Sequence, residues 1–302
     1  WSSLRSSVDN PMLKQIPRSI WTLGFVSLFM DCSSELIHSL LPLFMITTLG
    51  LSAVSLGVVE GIAEATALIT RIFSGALSDW LGKRKLLALM GYGLAAASKP
   101  LFPLAHSMMT VLLARFIARI GKGIRGAPRD ALIGDLAPPE IRGACFGLRQ
   151  SLDTIGAIIG PGLAILFMLL LADHIRLVLW IAIIPAFIAV ALLAFGVREP
   201  ETAPKKHSSE KLRFSDIRHT GDAYWKLVAT AAVLTLARFS EAFLILKAQV
   251  DGLSMAWVPS ALLVMNVVYT LASYPAGQWS DRIGRKTVLL MGIAFLLAAD
   301  VV

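Results

Sequence analysis

Nine apolar stretches follow one another along this chain, at roughly 20–48, 53–78, 86–104, 108–133, 143–171, 177–196, 227–249, 257–280 and 287 to the end. Each has about the length a helix needs to cross a hydrocarbon core about 30 Å thick. Inside such a core no water bonds the backbone, so a spanning segment of this length must be helical. That succession leaves little room for a soluble domain. Composition agrees, with 56% hydrophobic and 16% charged residues, against about 45–50% and about 25% in an ordinary soluble domain. The chain reads as an all-α polytopic membrane protein.

A net charge of +8 would suit a nucleic-acid surface, but the positions of the cations argue against one. With the N-terminus placed in the cytoplasm, the inner segments hold Arg5, Lys14 and Arg18; Lys83, Arg84 and Lys85; Arg142; a cluster from Arg198 to Lys226; and Arg282, Arg285 and Lys286. The outer loops offer Arg176, with Lys247 at a helix end. This asymmetry follows the positive-inside rule. It predicts a multi-pass protein of the cell (inner) membrane, with N-terminus and central linker cytoplasmic. Cys32 and Cys145 have neither metal nor disulfide spacing and read as packing residues. No cofactor or metal site is expected.

The polar interval VREPETAPKKHSSEKLRFSDIRHTGDAYWK reads as a linker. The expected organisation is a six-helix bundle over 1–196, a cytoplasmic linker over 197–226, and a partial second bundle over 227–302. The last run stops inside its ninth span, so a fragment of a longer protein is expected.

Two loops repeat. GALSDWLGKRK at 75–85 returns as GQWSDRIGRKT at 277–287, so Gly75, Ser78, Asp79 and Gly82 recur as Gly277, Ser280, Asp281 and Gly284, 202 residues on. Lys83 and Arg84 recur as Arg285 and Lys286, with the two types exchanged. Each copy joins the second and third helices of its half. Gly75 is expected to allow close approach of a neighbouring helix, Asp79 to face a helix N-terminus and Gly82 to form the turn. Arg84 and its basic neighbours are expected to anchor at the anionic inner leaflet.

G-x-x-x-D-x-x-G-[RK]-[RK] in these two places resembles the major facilitator superfamily, over the whole chain. The resemblance implies two six-helix bundles, a central cavity and alternating access by rocking of the halves. Trp80 stands where the family often has Arg. In span five, Gly147, Gly156, Gly160 and Pro161 resemble the fifth-helix motif of facilitator antiporters, with Ala164 where a further Gly is usual. In span four, Arg119, Lys122 and Gly123 resemble the family's R-x-x-q-G run, implicated in proton transfer, with Lys122 in place of Gln. The SSE of span one and GKGIRGAPRD of span four are similar to a prokaryotic, drug:proton-antiporter-like branch.

Charges within the spans are the candidate site. Asp31, Glu35 and His38 fall on one face of span one, with Ser34 nearby. Ionisable groups at this depth should face a cavity or one another, and crowded carboxylates suit proton pick-up and release. Glu60, Glu64 and Arg71 share a stripe of span two. Arg149, Asp153, Gly156 and Gly160 share a face of span five, a charged pair giving way to a small-residue groove. Arg238 and Glu241 are candidates in span seven.

Span four holds Arg115, Arg119 and Lys122 along one stripe that continues to Gly126 and Arg129, with Arg125 and Arg129 expected near the interface. A central Arg costs about 2.5–3.5 kcal/mol on insertion, while each Leu, Ile, Val or Phe returns only about 0.3–0.6. Partners of opposite sign are therefore required. Depth along the helices points to Asp31 and Glu35 pairing with Arg115 or Arg119, leaving Lys122 and Arg125 available.

These residues point to a secondary transporter exporting a small organic solute by alternating access in exchange for protons. A second reading is proton-coupled transport of an anionic solute, and a third a non-transporting receptor or scaffold. Expected partners are a small-molecule substrate, protons and the lipid bilayer, with no nucleic acid, and the protein is expected to be a monomer. An enzyme or nucleotide-driven pump is not expected: Gly121-Lys122-Gly123 lacks the glycine spacing and hydroxyl of a phosphate loop and follows no strand.

Overall fold

A computed structural model of the chain describes residues 15–197, 225–226, 229–230, 240–283 and 285–301. Most of the proposed linker, Arg238 and Gly284 lie outside the described residues. The described residues form helices and turns with no strand.

α1 (Arg18–Leu43) starts after Pro17, which presets the entry to a helix, and loosens into a π-turn at Phe44–Thr48, just past Pro42. α2 (Ala53–Leu81) is capped by Ser52, whose hydroxyl accepts from the Ser55 N–H at 3.2 Å. It ends at Gly82, where φ of 63° supplies the left-handed turn expected from the sequence. α3 (Arg84–Ser98) follows at once and closes on a short 3-10 turn, Lys99–Leu101. α4 (Met108–Leu136) is capped by Ser107 and α5 (Arg142–Leu170) follows a tight Pro-rich link.

α6 (Ile175–Gly196) is interrupted at Ala182. The Ala182 carbonyl accepts a hydrogen bond from the Ser33 hydroxyl at 2.6 Å, so the break is tied to α1. α7 (Glu241–Val250), α8 (Ser260–Ile283) and α9 (Arg285–Val301) complete the described chain. Gly277 lies inside α8, which ends at Ile283 before α9 begins at Arg285.

Spans one, two, five and six are long and apolar enough to cross a membrane. α4 has the length, 29 residues, but not the composition. It is surrounded instead: α2 and α3 both pack along it, while α1 packs against α5 and α6. Apolar side chains such as Phe187 and Phe195 of α6 face outward, with Phe195 90% exposed, as lipid contact requires.

The buried apolar residues form two main clusters, one at each end of the bundle. One, near the turns at 49–52 and 171–174, joins Leu40, Phe44, Leu56, Phe102, Val111 and Val178 to Ala242 of α7 and Ala256 beyond it. The other, near the turn at Gly82, joins Leu23, Met30, Tyr92, Leu132, Cys145 and Leu193. Between them lies a charged layer.

Candidate functional site

α2 and α4 run parallel, and their charges meet in register. Glu60 pairs with Arg115, and one turn on Glu64 pairs with Arg119 at 2.5 Å, each separated by 55 residues in sequence. Arg119 also lies 4.0 Å from Glu60. Glu60 and Arg115 are both buried. The sequence-based expectation paired Arg115 or Arg119 with Asp31 and Glu35, and the structure corrects it. Depth was matched, but the stripe through Arg115 and Arg119 faces α2, whereas α1 is held against α5. Asp31 instead meets Arg125 at 3.6 Å, and Glu35 meets His38 of its own helix at 3.5 Å.

Arg125 is buried, not interfacial as expected, and its guanidinium lies 4.6 Å above the Tyr92 ring. Arg129 is half-buried and bonds Asp130 at 3.1 Å and the Ser27 hydroxyl at 3.5 Å. On α5, Arg149 holds Asp153 at 3.4 Å, as the i,i+4 spacing implied, and also reaches Asp130 at 3.9 Å. The Asp153 carboxyl lies within hydrogen-bonding reach of Asp31 across the α1/α5 seam. One of its oxygens, Oδ1, is buried with no donor.

That seam is close because of the glycine face read from the sequence. A Cβ on Gly156 would collide with the Leu28 carbonyl, and one on Gly160 would stand 2.8 Å from the Cys32 carbonyl. Pro161 removes an N–H and so orphans the Ala157 carbonyl four residues back. Asn266 of α8 donates to that carbonyl at 2.9 Å, which ties α8 to the first bundle. The same device fixes α4: Pro128 frees the Ile124 carbonyl, and the Ser74 hydroxyl of α2 donates to it at 2.6 Å.

Two expectations at the repeated loop need correction. Gly75 is not a point of tight approach, since a Cβ there would meet Ala127 at an ordinary 3.6 Å. The tight contact of α2 with α4 falls at Gly123, where a Cβ would stand 2.9 Å from the Ala67 carbonyl. Arg84 is held by protein, donating to Asp135 at 2.5 Å and to the Ala131 carbonyl at 2.9 Å. Lys85 donates to the Ala194 carbonyl at 2.9 Å. The side chains of Asp79, Asp281 and Arg285 lie outside the described residues. Glu241 begins α7, and Lys247 pairs with Asp251 at 3.1 Å.

The charged layer opens into a cavity of about 430 Å³. Asp31, Glu35, Glu64 and Asp153 supply its carboxylates, and Arg71, Arg119, Lys122, Arg125 and Arg129 its cations. Gln150, Thr154, Asn266 and Tyr269 add polar groups, and Ala67, Leu68 and Ala157 an apolar wall. Of the residues expected to form the site, Glu60, Arg115 and His38 stand behind this wall as supports. Lys99 went unnoticed in the sequence: it is 3% exposed and donates to the Ser34 hydroxyl at 3.0 Å. Its one signal was a lysine set inside an apolar span. Asn266 was signalled only by Pro161, which demands a donor from somewhere.

Residues 23–300 match the Major Facilitator Superfamily. An uncharacterized MFS-type transporter of Methanocaldococcus jannaschii is 34% identical over 291 residues, covering 94% of this chain and 71% of its own length. The multidrug resistance protein MdtH of Salmonella paratyphi C is 25% identical over 275 residues, covering 88% of this chain and 65% of its own. Among solved structures, a bacterial homolog of the human lysosomal transporter Spinster, inward-facing and unoccupied, superposes with a TM-score of 0.70 at 16% identity, over 92% of this chain and 64% of that one. A D-xylose-proton symporter gives a TM-score of 0.60 at 17% identity, over 87% of this chain and 68% of that one. These two show the shared fold, and the chain spans about two thirds of the length of each. A helical bundle with a charged central cavity and a sequence match over nearly its whole length place the chain in the Major Facilitator Superfamily, a family of membrane transporters and not of enzymes.

Proposed function

We propose that the protein is a proton-coupled secondary transporter that exports a small organic solute by alternating access. The observation that carries this reading is a buried Asp153 oxygen without a donor, on a carboxyl that lies beside the Asp31 carboxyl. A proton held between the two carboxyls supplies that donor. The same proton removes the charge by which Asp31 holds Arg125. Proton binding thus loosens α4 from α1, and solute binding in the adjoining cavity acts on the same helix.

The orientation follows from the cations: the Gly82 end is cytoplasmic, in the cell (inner) membrane. The apolar cluster that includes Ala242 and Ala256 then closes the outer end, and the cavity serves the inner side. Export is favoured by the span-five run through Gly156, Gly160 and Pro161 and by the similarity to a protein named for multidrug resistance.

The test is solute movement in proteoliposomes under an imposed proton gradient, using a panel of small organic solutes. Gradient-driven accumulation that an uncoupler abolishes is the expected result. Accumulation indifferent to the uncoupler would remove proton coupling from the account.

A further inference from the structure

The cavity's charges do not cancel. Its wall has five cations against four carboxylates. Glu64 pairs with Arg119, Asp31 with Arg125 and Asp153 with Arg149, while Glu35 lies 3.5 Å from His38 of its own helix. Among the described residues, Lys122 and Arg71 make no hydrogen bond or ion pair, and both face the cavity. Both line the same stretch of wall between α2 and α4. The Arg71 Nε lies 3.7 Å from where a Cβ on Gly126 would stand, and Gly126 is one helical turn from Lys122.

A third group points the same way. The Gln150 carbonyl oxygen accepts from Arg149 at 3.2 Å, so what Gln150 has left to offer is its amide N–H. Behind the wall, buried Lys99 donates to the Ser34 hydroxyl. The free donors in the cavity are therefore cationic or N–H, set beside the apolar surface of Ala67, Leu68 and Ala157.

We propose that the solute is a small organic anion, a monocarboxylate, whose carboxylate sits between Lys122 and Arg71 and whose apolar body lies against α2 and α5. This names the substrate class and rests on the transport reading above. Two cations without an ion pair, lining one cavity, attract an anion and repel an organic cation.

The experiment needs no transport. Thr154, on the α5 wall, is changed to Cys in a Cys32→Ala, Cys145→Ala background. Labelling rates are then measured with a sulfonatoethyl and a trimethylammonioethyl thiosulfonate, each normalised to a free thiol. The sulfonate should react faster by about tenfold or more. The preference should fall several-fold in Lys122→Gln and in Arg71→Gln and persist in Lys122→Arg. Benzoate should slow the sulfonate reaction, and choline should not. A preference for the cationic reagent, a preference unmoved by both Gln variants, or protection by choline or by neither compound overturns the proposal. Size-exclusion profiles matching the parent show that the variants fold. Proton coupling is read from the separate flux assay, so either idea can fail alone.

Discussion

The α1/α5 and α2/α4 seams are both parallel helix pairs, yet opposite means hold them. α1 and α5 meet backbone to backbone at Gly156 and Gly160, with no ion pair between them among the described residues. α2 and α4 meet through Glu60, Glu64, Arg115 and Arg119, with Gly123 and the Ser74 bond to Ile124 further along. The difference teaches where function sits. A glycine seam leaves its own carboxylates, Asp31 and Asp153, at the cavity wall, where Arg125 and Arg149 pair with them. A charged seam pairs its carboxylates across the two helices and leaves two cations over: Lys122 and Arg71. The cavity lies where these two sets confront each other.

Removing one partner from the charged seam should have the largest effect. Glu60→Ala leaves Arg115 buried without a counter-ion and should lower stability by about 3–5 kcal/mol, read as a drop in the thermal midpoint of detergent-purified protein. Replacing both by apolar residues, Glu60→Leu with Arg115→Met, should recover most of that loss. If the single change is harmless, the seam is not held by charge.

The glycine seam should break under one added methyl. Gly156→Ala meets the Leu28 carbonyl and should cost about 1–3 kcal/mol by overpacking. The same change at Gly75, where contact is ordinary, should stay within about 0.5 kcal/mol. Equal effects at the two positions would erase the distinction between a packed and an unpacked glycine.

The smallest effect expected is at the link to α8. Asn266→Ala leaves the Ala157 carbonyl without its donor and should cost about 0.5–1.5 kcal/mol, measured by the same melts. A Pro161→Ala background restores an N–H to α5 and should reduce the penalty. An unchanged penalty there would mean Asn266 matters for some other reason.

What the sequence revealed and what it hid divide along physical lines. The positions of spans one to six, the Gly82 turn, the glycine face of α5 and the Arg149–Asp153 pair depend on local chemistry, and all were legible. That α4 could not face lipid was legible too, because the charge sum of one helix is a local quantity. Which carboxylates it would meet was not. Asp31 and Glu60 are both at a depth to face α4, and only the lateral order of helices, with α2 beside α4 and α1 beside α5, decides between them. Arg125 looked interfacial for the same reason: Tyr92 of α3, which covers it, lies 33 residues away in sequence. Lys99 and Asn266 needed the neighbouring helix in view before either had a role.

The central claim is that Asp31 exchanges its charge between Arg125 and a proton, and that this exchange drives transport. Asp31→Asn keeps the volume and removes the charge. In proteoliposomes under a proton gradient, this variant should lose gradient-driven flux of any solute the parent protein carries, while its size-exclusion profile matches the parent's. Undiminished gradient-driven flux in Asp31→Asn would contradict the account, and would leave Asp31 as a residue that positions Arg125 and nothing more.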